Sequence, residues 1–82
     1  MNSKSATSFG LVLRQLRAEA GLTQEQLGIA AGLERNFISM LELGQRGPSL
    51  ETVFMIAAAL RVDADKFVRL VCEKIKEQDL ST

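Results

Sequence analysis

The sequence predicts an all-helical fold, a compact arrangement of five short helices. Apolar residues recur at helical spacing in several segments of the 82-residue chain, and no segment alternates apolar and polar residues for long enough to form a sheet. Turns of two to five residues, which include glycines and the single proline, separate these segments. Helices joined by such short turns pack side by side as a bundle.

Length and composition limit the chain to one small domain. Hydrophobic residues make up 46% of the sequence and charged residues 24%, which is typical of a globular protein. A domain of this size buries only ~60–65% of the surface that its unfolded chain exposes, so a partner subunit would help to stabilise it. We predict a domain over residues 8–78, with a disordered N-terminal tail over residues 1–7 and a C-terminal tail over residues 79–82.

The first predicted helix ends at Gly21. Its apolar residues Phe9, Leu13, Leu16 and Ala20 recur at the spacing of one helix face. The polar residues before them lack such a pattern, which is why the tail is predicted there.

A second helix is predicted from Thr23 to Ala31. Thr23 followed three residues later by Gln26 is the pattern of a capping box, in which each side chain accepts a hydrogen bond from the other residue's backbone N–H group. Gly32 then favours a helix end. A helix this short is not stable alone and must pack on its neighbours.

A third helix is predicted from Leu33 or Glu34 to Leu43. Ile38 and Leu41 must face the core, which leaves a polar side toward solvent or a ligand. An angled pair of short helices around a glycine turn is a DNA-reading device in many proteins.

Ser49 is predicted to cap a fourth helix that ends at Leu60, and Asp63 a fifth that runs from Ala64 to about Gln78. The two helices carry more apolar residues than one core-facing side requires. This surplus favours a symmetric homodimer over a monomer with an apolar surface. The predicted dimer-interface residues are Met55, Phe67, Val68, Val71 and Ile75.

The residue types argue against an enzyme. The chain has no histidine, and its one cysteine, Cys72, has no base partner and is expected to be a buried thiol. We therefore predict no catalytic residue, no cofactor and no metal. No apolar run approaches the ~20 residues of a membrane span, and the N-terminus lacks a signal-peptide pattern, so a cytoplasmic location without a membrane partner is expected.

The charges are balanced along the chain. Residues 1–47 carry five basic and four acidic groups, a net charge of +1, and residues 48–82 carry five basic and six acidic groups, a net charge of −1. Strong non-specific attraction to nucleic acid is therefore not expected. Any affinity for DNA must come from a few well-placed contacts.

The segment from Phe9 to Leu60, about two-thirds of the chain, resembles the lambda-repressor and Cro family of helix-turn-helix regulators, also called the xenobiotic-response-element family. The resemblance implies a five-helix lambda-repressor-like fold and a transcriptional regulator that binds a palindromic operator as a homodimer. The residues that carry it are Gly21-Leu22-Thr23-Gln24, Leu27, Gly32, Ile38-Ser39, Glu42, Gly44 and Pro48-Ser49-Leu50.

The resemblance also implies that the third helix enters the major groove of double-stranded DNA. Arg35 would then bind guanine through two hydrogen bonds, and Asn36 would read adenine or hold a phosphate. A solvated helix side is the competing interpretation. The implied DNA-contacting residues are Thr23, Gln24, Arg35, Asn36, Phe37, Ser39, Met40 and Arg46.

Other implied roles concern the DNA backbone and the support of the third helix. Phosphate contacts are implied for Gln24 and for Arg46. Phe37 is expected either to pack over the DNA backbone or to belong to the core. The family further implies a partly buried ion pair between Arg17 and Glu42 that holds the third helix in place.

Two positions depart from the family's pattern. Glu34 stands where serine, threonine or aspartate usually caps the third helix, and Leu43 stands where a basic or amide side chain commonly meets phosphate. Both departures are expected to lower the affinity for DNA. Gly28 stands where alanine is usual and suits a close approach of two helices, at a helix-propensity cost of ~1 kcal/mol.

The resemblance leaves several roles open. The short chain resembles restriction-modification controller proteins, and a general bacterial or phage repressor fits nearly as well. The alternative is an antitoxin or another protein-interaction module on the same fold. Such a module would need an additional disordered segment, for which few residues outside the predicted domain are available.

Overall fold

Five helices follow one another through residues 3–80, the part of the chain that the computed structural model describes. They are α1 (Lys4–Glu19), α2 (Gln24–Ala31), α3 (Arg35–Glu42), α4 (Leu50–Leu60) and α5 (Ala64–Leu80). These residues contain no strand. The predicted all-helical, five-helix fold is confirmed.

Local capping determines where α2 and α4 begin. The Thr23 hydroxyl accepts the Gln26 N–H at 3.0 Å, and the Gln26 side-chain oxygen accepts the Thr23 N–H at 2.9 Å, which completes the predicted capping box. The Ser49 hydroxyl accepts the Thr52 N–H at 3.0 Å. Gly32 ends α2 with φ 74°, a left-handed conformation that glycine adopts without steric cost.

The first helix begins earlier than the sequence pattern predicts. The Ser3 hydroxyl accepts the Ala6 N–H at 3.0 Å, so residues 4–7 are helical and the predicted disordered tail over residues 1–7 was drawn too long. At the other end, α5 continues through residues 79 and 80. Residues 1–2 and 81–82 lie outside the described part of the chain.

Contacts between the two ends of the chain explain this extension. The Ser8 hydroxyl, which is fully buried, donates a hydrogen bond to the Gln78 side-chain oxygen at 3.0 Å. Lys4 forms an ion pair with Asp79. Because these partners are 70 and 75 positions apart in the sequence, helical periodicity alone could not predict the contacts.

All five helices contribute to the core, with α1 packed on α3 and α5, and α4 packed on α2 and α5. The rings of Phe9 and Phe67 stack with their centroids 5.1 Å apart. Phe67 is 0% exposed, which corrects its assignment to the dimer interface, because its side chain is used entirely inside one subunit. The buried apolar residues are Phe9, Val12, Leu13, Leu27, Ala31, Ile38, Leu41, Val53, Ile56, Ala57, Leu60 and Phe67.

The other apolar residues of α4 and α5 lie at different depths. Met55, Val71 and Ile75 are half-buried, and Val68 is 44% exposed. Cys72 is exposed, so the expectation of a buried thiol was wrong. The reason is that the core-facing side of α5 is already occupied by residues such as Phe67, and Cys72 lies outside it.

Two glycines allow α3 to lie close to its neighbours. A Cβ atom on Gly10 of α1 would lie 2.4 Å from the Leu41 carbonyl oxygen and 2.6 Å from that of Glu42. A Cβ atom on Gly28 of α2 would lie 2.5 Å from the Leu33 carbonyl oxygen. At Gly28 the crowding atom belongs to the turn before α3, and the first residue of α3, Arg35, is in ordinary contact through its backbone nitrogen at 3.5 Å, whereas Gly10 allows α1 and α3 themselves to lie close together.

Candidate nucleic-acid interface

The third helix has one buried side and one accessible side. Ile38 and Leu41 are fully buried in the core. Arg35 and Asn36, in the first turn, are exposed, and Ser39 one turn later is half-buried. The core contacts therefore anchor the helix while polar side chains project away from it.

The other residues of this helix that were predicted to contact DNA are less accessible. Phe37 and Met40 are both half-buried. Phe37 packs partly against the core, as the second of its two predicted roles requires. Met40 retains some accessible surface for an apolar contact.

The implied ion pair between α1 and α3 is present. Arg17 Nε lies 2.5 Å from Glu42 Oε2, and Arg17 Nη2 donates to Glu42 Oε1 at 3.0 Å. Arg17 Nη1 donates to the Leu22 carbonyl oxygen at 2.8 Å, so the guanidinium also holds the turn before α2. Such two-point pairing fixes the orientation of both side chains.

This pair is largely removed from water. The Glu42 side chain is only 3% exposed and the Arg17 side chain 16%. The hydrogen bonds that Arg17 donates to the Glu42 carboxylate raise the pKa of Arg17 above its ordinary value, against the opposing effect of burial. The charged form of Arg17 is therefore favoured, and the pair connects α1 to the end of α3.

Gln24 lies within the same network. Its side-chain amide donates to Glu42 Oε1 at 3.0 Å, and the residue is half-buried at the start of α2. The amide was predicted to contact phosphate, but in the free protein it binds a carboxylate of α3. The sequence did not indicate this partner, because nothing in the local pattern relates Gln24 to Glu42.

The start of α2 is open to solvent next to this network. Thr23 is exposed, and its capping box accounts for the N–H groups of Thr23 and Gln26. The N–H groups of Gln24 and Glu25 have no intrahelical acceptor, because they belong to the first turn. This end of α2 carries partial positive charge of the kind that favours an anion.

Arg46 and Phe37 form a pair next to α3. The Arg46 guanidinium lies over the Phe37 ring, with its central carbon 5.8 Å from the ring centroid. Arg46 is exposed, in the loop that follows α3. A cation held on an aromatic face is restricted in orientation yet keeps its N–H donors accessible. The contact places a positive charge beside the accessible side of α3.

The start of α3 lacks a side-chain cap. Glu34 occupies the N-cap position with an extended backbone but makes no capping hydrogen bond. We expect Glu34→Asp to raise the free energy of unfolding by about 1 kcal/mol, because the shorter carboxylate reaches the N–H groups of the first turn. Thermal unfolding followed by circular dichroism would then show a rise in Tm of about 4–8 °C.

Glu34→Gln is the matched control for that prediction. It removes the charge while keeping a side chain too long to cap, so it should change Tm by much less than Glu34→Asp does. An equal or larger rise with glutamine would show that charge, and not capping, governs stability at this position.

Sequence reasoning missed two features of this site. One is Gly10, whose position within a run of apolar helical residues was an available signal of close packing. The other is the identity of the exposed apolar residues of α4, Leu50 and Phe54, neither of which is among the predicted interface residues. In residues 3–80 no cluster of His, Cys, Asp or Glu side chains is arranged to hold a metal ion. None of the helices in that range combines the length and apolar character of a membrane span.

Comparison with known sequences identifies the family to which this chain is similar. The family described as helix-turn-helix matches residues 13–67, more than half of the chain. The uncharacterized HTH-type transcriptional regulator y4dJ of Sinorhizobium fredii is 42% identical over 48 residues, which are 58% of this chain and 62% of that protein. Control protein C.BamHI of Bacillus amyloliquefaciens is 38% identical over 55 residues, 66% of this chain and 68% of that protein. The match with the Sinorhizobium relative thus spans less than two-thirds of that relative's length.

Comparison with solved structures gives the same result. The restriction-modification controller protein C.AhdI of Aeromonas hydrophila superposes with a TM-score of 0.76 at 35% identity, over 79% of this chain and 98% of that one. The clp gene regulator ClgR of Corynebacterium glutamicum, at 22% identity and a TM-score of 0.90 over 99% of this chain, shares the fold. The sequence match and the helix arrangement together show the family. This chain belongs to the helix-turn-helix family of transcription regulators of the lambda-repressor and Cro, or xenobiotic-response-element, type.

Proposed function

We propose that this protein is a sequence-specific transcription regulator that binds a palindromic operator as a homodimer, with α3 in the major groove. The observation that carries the proposal is the division of α3 into a side anchored by Ile38, Leu41 and Glu42 and a side that presents Arg35 and Asn36. A rigidly held helix with exposed polar residues in its first turn matches the way helix-turn-helix proteins read bases.

Base recognition is assigned to the accessible side of α3. The Arg35 guanidinium can donate two parallel hydrogen bonds to O6 and N7 of guanine, and the Asn36 amide has the donor and acceptor that adenine requires. Ser39 lies one turn further along the helix, where a short hydroxyl reaches a base edge or a sugar-phosphate oxygen. Met40 adds an apolar surface for a thymine methyl group.

Phosphate binding is assigned to groups on either side of α3. Arg46, oriented by the Phe37 ring, supplies the cation, and the open start of α2 with Thr23 and Gln24 supplies N–H donors. Gln24 would exchange or share its hydrogen bond with Glu42 when a phosphate approaches. Because the net charge is zero, only these few phosphate contacts support binding, and a modest salt dependence is expected.

The size of the subunit suits a dimer on DNA. The described part of the chain measures 36 × 26 × 22 Å. Two such subunits related by a two-fold axis can place their α3 helices ~34 Å apart, the separation of successive major-groove segments on one side of the duplex. The resemblance to controller proteins of restriction-modification systems supports this arrangement.

The proposal predicts a defined change in base preference when Arg35 is removed. Selection of bound duplexes from a random pool should recover a motif with two inverted half-sites from the wild type. The Arg35→Ala variant should still bind DNA but should no longer prefer a particular base pair at one position of each half-site. The expected loss of discrimination is about 1–3 kcal/mol at each of these positions. Recovery of no symmetric motif from the wild type, or of an unchanged motif from the variant, would contradict the assignment.

Two further variants separate base reading from general electrostatics. Arg69→Ala removes the same charge from α5, which packs on α1 and α4, and should leave both motif and affinity unchanged. Arg46→Ala should weaken binding to all sequences equally. It should also reduce the slope of log affinity against log salt by about 1 for each subunit.

A further inference from the structure

The most exposed apolar residues of α4 form a stripe on one side of the helix. Leu50 is 68% exposed and Phe54 53%, and the next residue at this spacing, Ala58, is exposed as well. Residues four apart lie above one another on a helix, so the three form a continuous row. An exposed row that combines a leucine, a phenylalanine and a small residue is unusual on a surface that stays in water.

Charged residues of opposite sign lie at the two ends of this α4 stripe. Glu51 is exposed in the first turn of α4, and Arg61 is exposed directly after the last turn. Neither forms an ion pair with another residue of the described range 3–80. The α4 stripe is therefore apolar along its length, acidic at its start and basic at its end.

The pattern on one α4 helix is complementary to the same pattern on a second α4 helix that runs in the opposite direction. The midpoint between Glu51 and Arg61 along the chain is position 56, and the midpoint between Phe54 and Ala58 is the same position. In an antiparallel pair of helices centred there, the Phe54 ring of one copy faces the small Ala58 of the other. The same register places Glu51 of each copy opposite Arg61 of the other. A parallel pair would instead place like charges together.

The backbone at Arg61 supports a role for its side chain. Arg61 has φ 58°, the one non-glycine residue of the described range with a left-handed conformation. Glycine adopts this conformation at lower cost, and it is the common residue at such helix ends. An arginine here is strained locally, and a contact made by its guanidinium would offset that cost.

We propose that the α4 stripe is the contact surface with a second copy of this chain. The two α4 helices pack antiparallel about a two-fold axis, with Phe54 against Ala58 of the partner subunit and Glu51 paired with Arg61 of the partner subunit. The inference rests on the proposed homodimer and deepens it by specifying the surface. It replaces the buried Phe67 by Leu50 and Phe54 as the principal apolar contacts.

Sedimentation equilibrium of purified variants tests the surface without DNA. Phe54→Asp should raise the dimer dissociation constant at least 30-fold, since an apolar residue at the centre of an interface is replaced by a charge in both subunits. Ile29→Asp is the control, because Ile29 is 78% exposed on α2 and lies outside the α4 stripe. It should change the dissociation constant less than twofold. Dissociation by Ile29→Asp but not by Phe54→Asp would overturn the proposal.

Charge reversal tests the register. Glu51→Arg and Arg61→Glu should each weaken the dimer roughly threefold to tenfold, and the double variant should return to within about twofold of the wild type. Arg61→Gly removes the side chain and relaxes the left-handed backbone at this position. It should therefore weaken the dimer while leaving the stability of the single subunit unchanged or higher. A double variant weaker than either single variant would exclude the antiparallel register.

The outcomes distinguish this inference from the function on which it rests. A wild-type protein that sediments as a monomer at all concentrations up to about 100 times those used for DNA binding would overturn the homodimer and this surface together. A wild-type dimer that Phe54→Asp does not dissociate would overturn the α4 stripe alone and leave the proposed regulator intact.

Discussion

Replacing Arg17 with methionine is expected to lower the free energy of unfolding by about 3 kcal/mol. The change removes two of the three side-chain donors that hold the Glu42 carboxylate, which is 3% exposed and cannot regain them from water. A buried charge without its partner is strongly destabilising, whereas the intact pair is close to neutral relative to apolar residues of the same size. Gln24 alone does not neutralise the carboxylate.

Urea denaturation at one fixed protein concentration measures this effect, because dimer formation makes apparent stability depend on concentration. The double variant Arg17→Met with Glu42→Leu is the control. It should recover most of the loss, since no unpaired charge remains. If Arg17→Met alone stays within about 0.5 kcal/mol of the wild type, the pair is not the structural link between α1 and α3 described above.

Gly10→Ala is expected to cost about 2–3 kcal/mol and to lower Tm by about 10–20 °C. The new methyl group would lie 2.4 Å from the Leu41 carbonyl oxygen and 2.6 Å from that of Glu42, so one of the two helix backbones must move. Neither atom is the end of a flexible side chain. Gly10→Val should be more damaging still, because its second and third carbons extend further toward α3.

Gly47→Ala is the matched control for Gly10→Ala. A Cβ atom on Gly47 would meet nothing closer than Ala6 Cβ at 4.0 Å, so the same chemical change should alter the free energy of unfolding by no more than about 0.5 kcal/mol. Equal destabilisation by the two variants would show that the cost comes from glycine replacement in general and not from the approach of α1 to α3.

The variants at Arg17 and Gly10 concern a single property, the position of α3 relative to α1. If base reading depends on that position, variants that fold at reduced temperature should still lose affinity for the operator. A DNA-binding assay at a temperature where each variant remains folded separates this effect from global unfolding.

Local rules were sufficient to predict much of the fold. Thr23 with Gln26, Ser49 and Gly32 marked helix boundaries at the observed positions, because caps and left-handed ends depend on residues within a few positions of one another. The buried side of α3 at Ile38 and Leu41 likewise follows from helical periodicity. The family resemblance added what periodicity does not contain, the pairing of Arg17 with Glu42 across 25 positions.

Only the tertiary structure decided which of several apolar or polar side chains, equivalent in the sequence pattern, lies in the core and which remains at the surface. Both α4 and α5 offered surplus apolar residues, but Phe67 stacks on Phe9 and is lost to the core, while Leu50 and Phe54 remain outside. The local sequence pattern around Gln24 did not indicate that its side-chain amide donates a hydrogen bond to Glu42 of α3 in the free protein. The sequence by itself therefore determined the five helices, the caps of α2 and α4, and the family. Contacts between distant segments decided the depth and partner of each side chain, because those depend on how the helices pack and not on local periodicity.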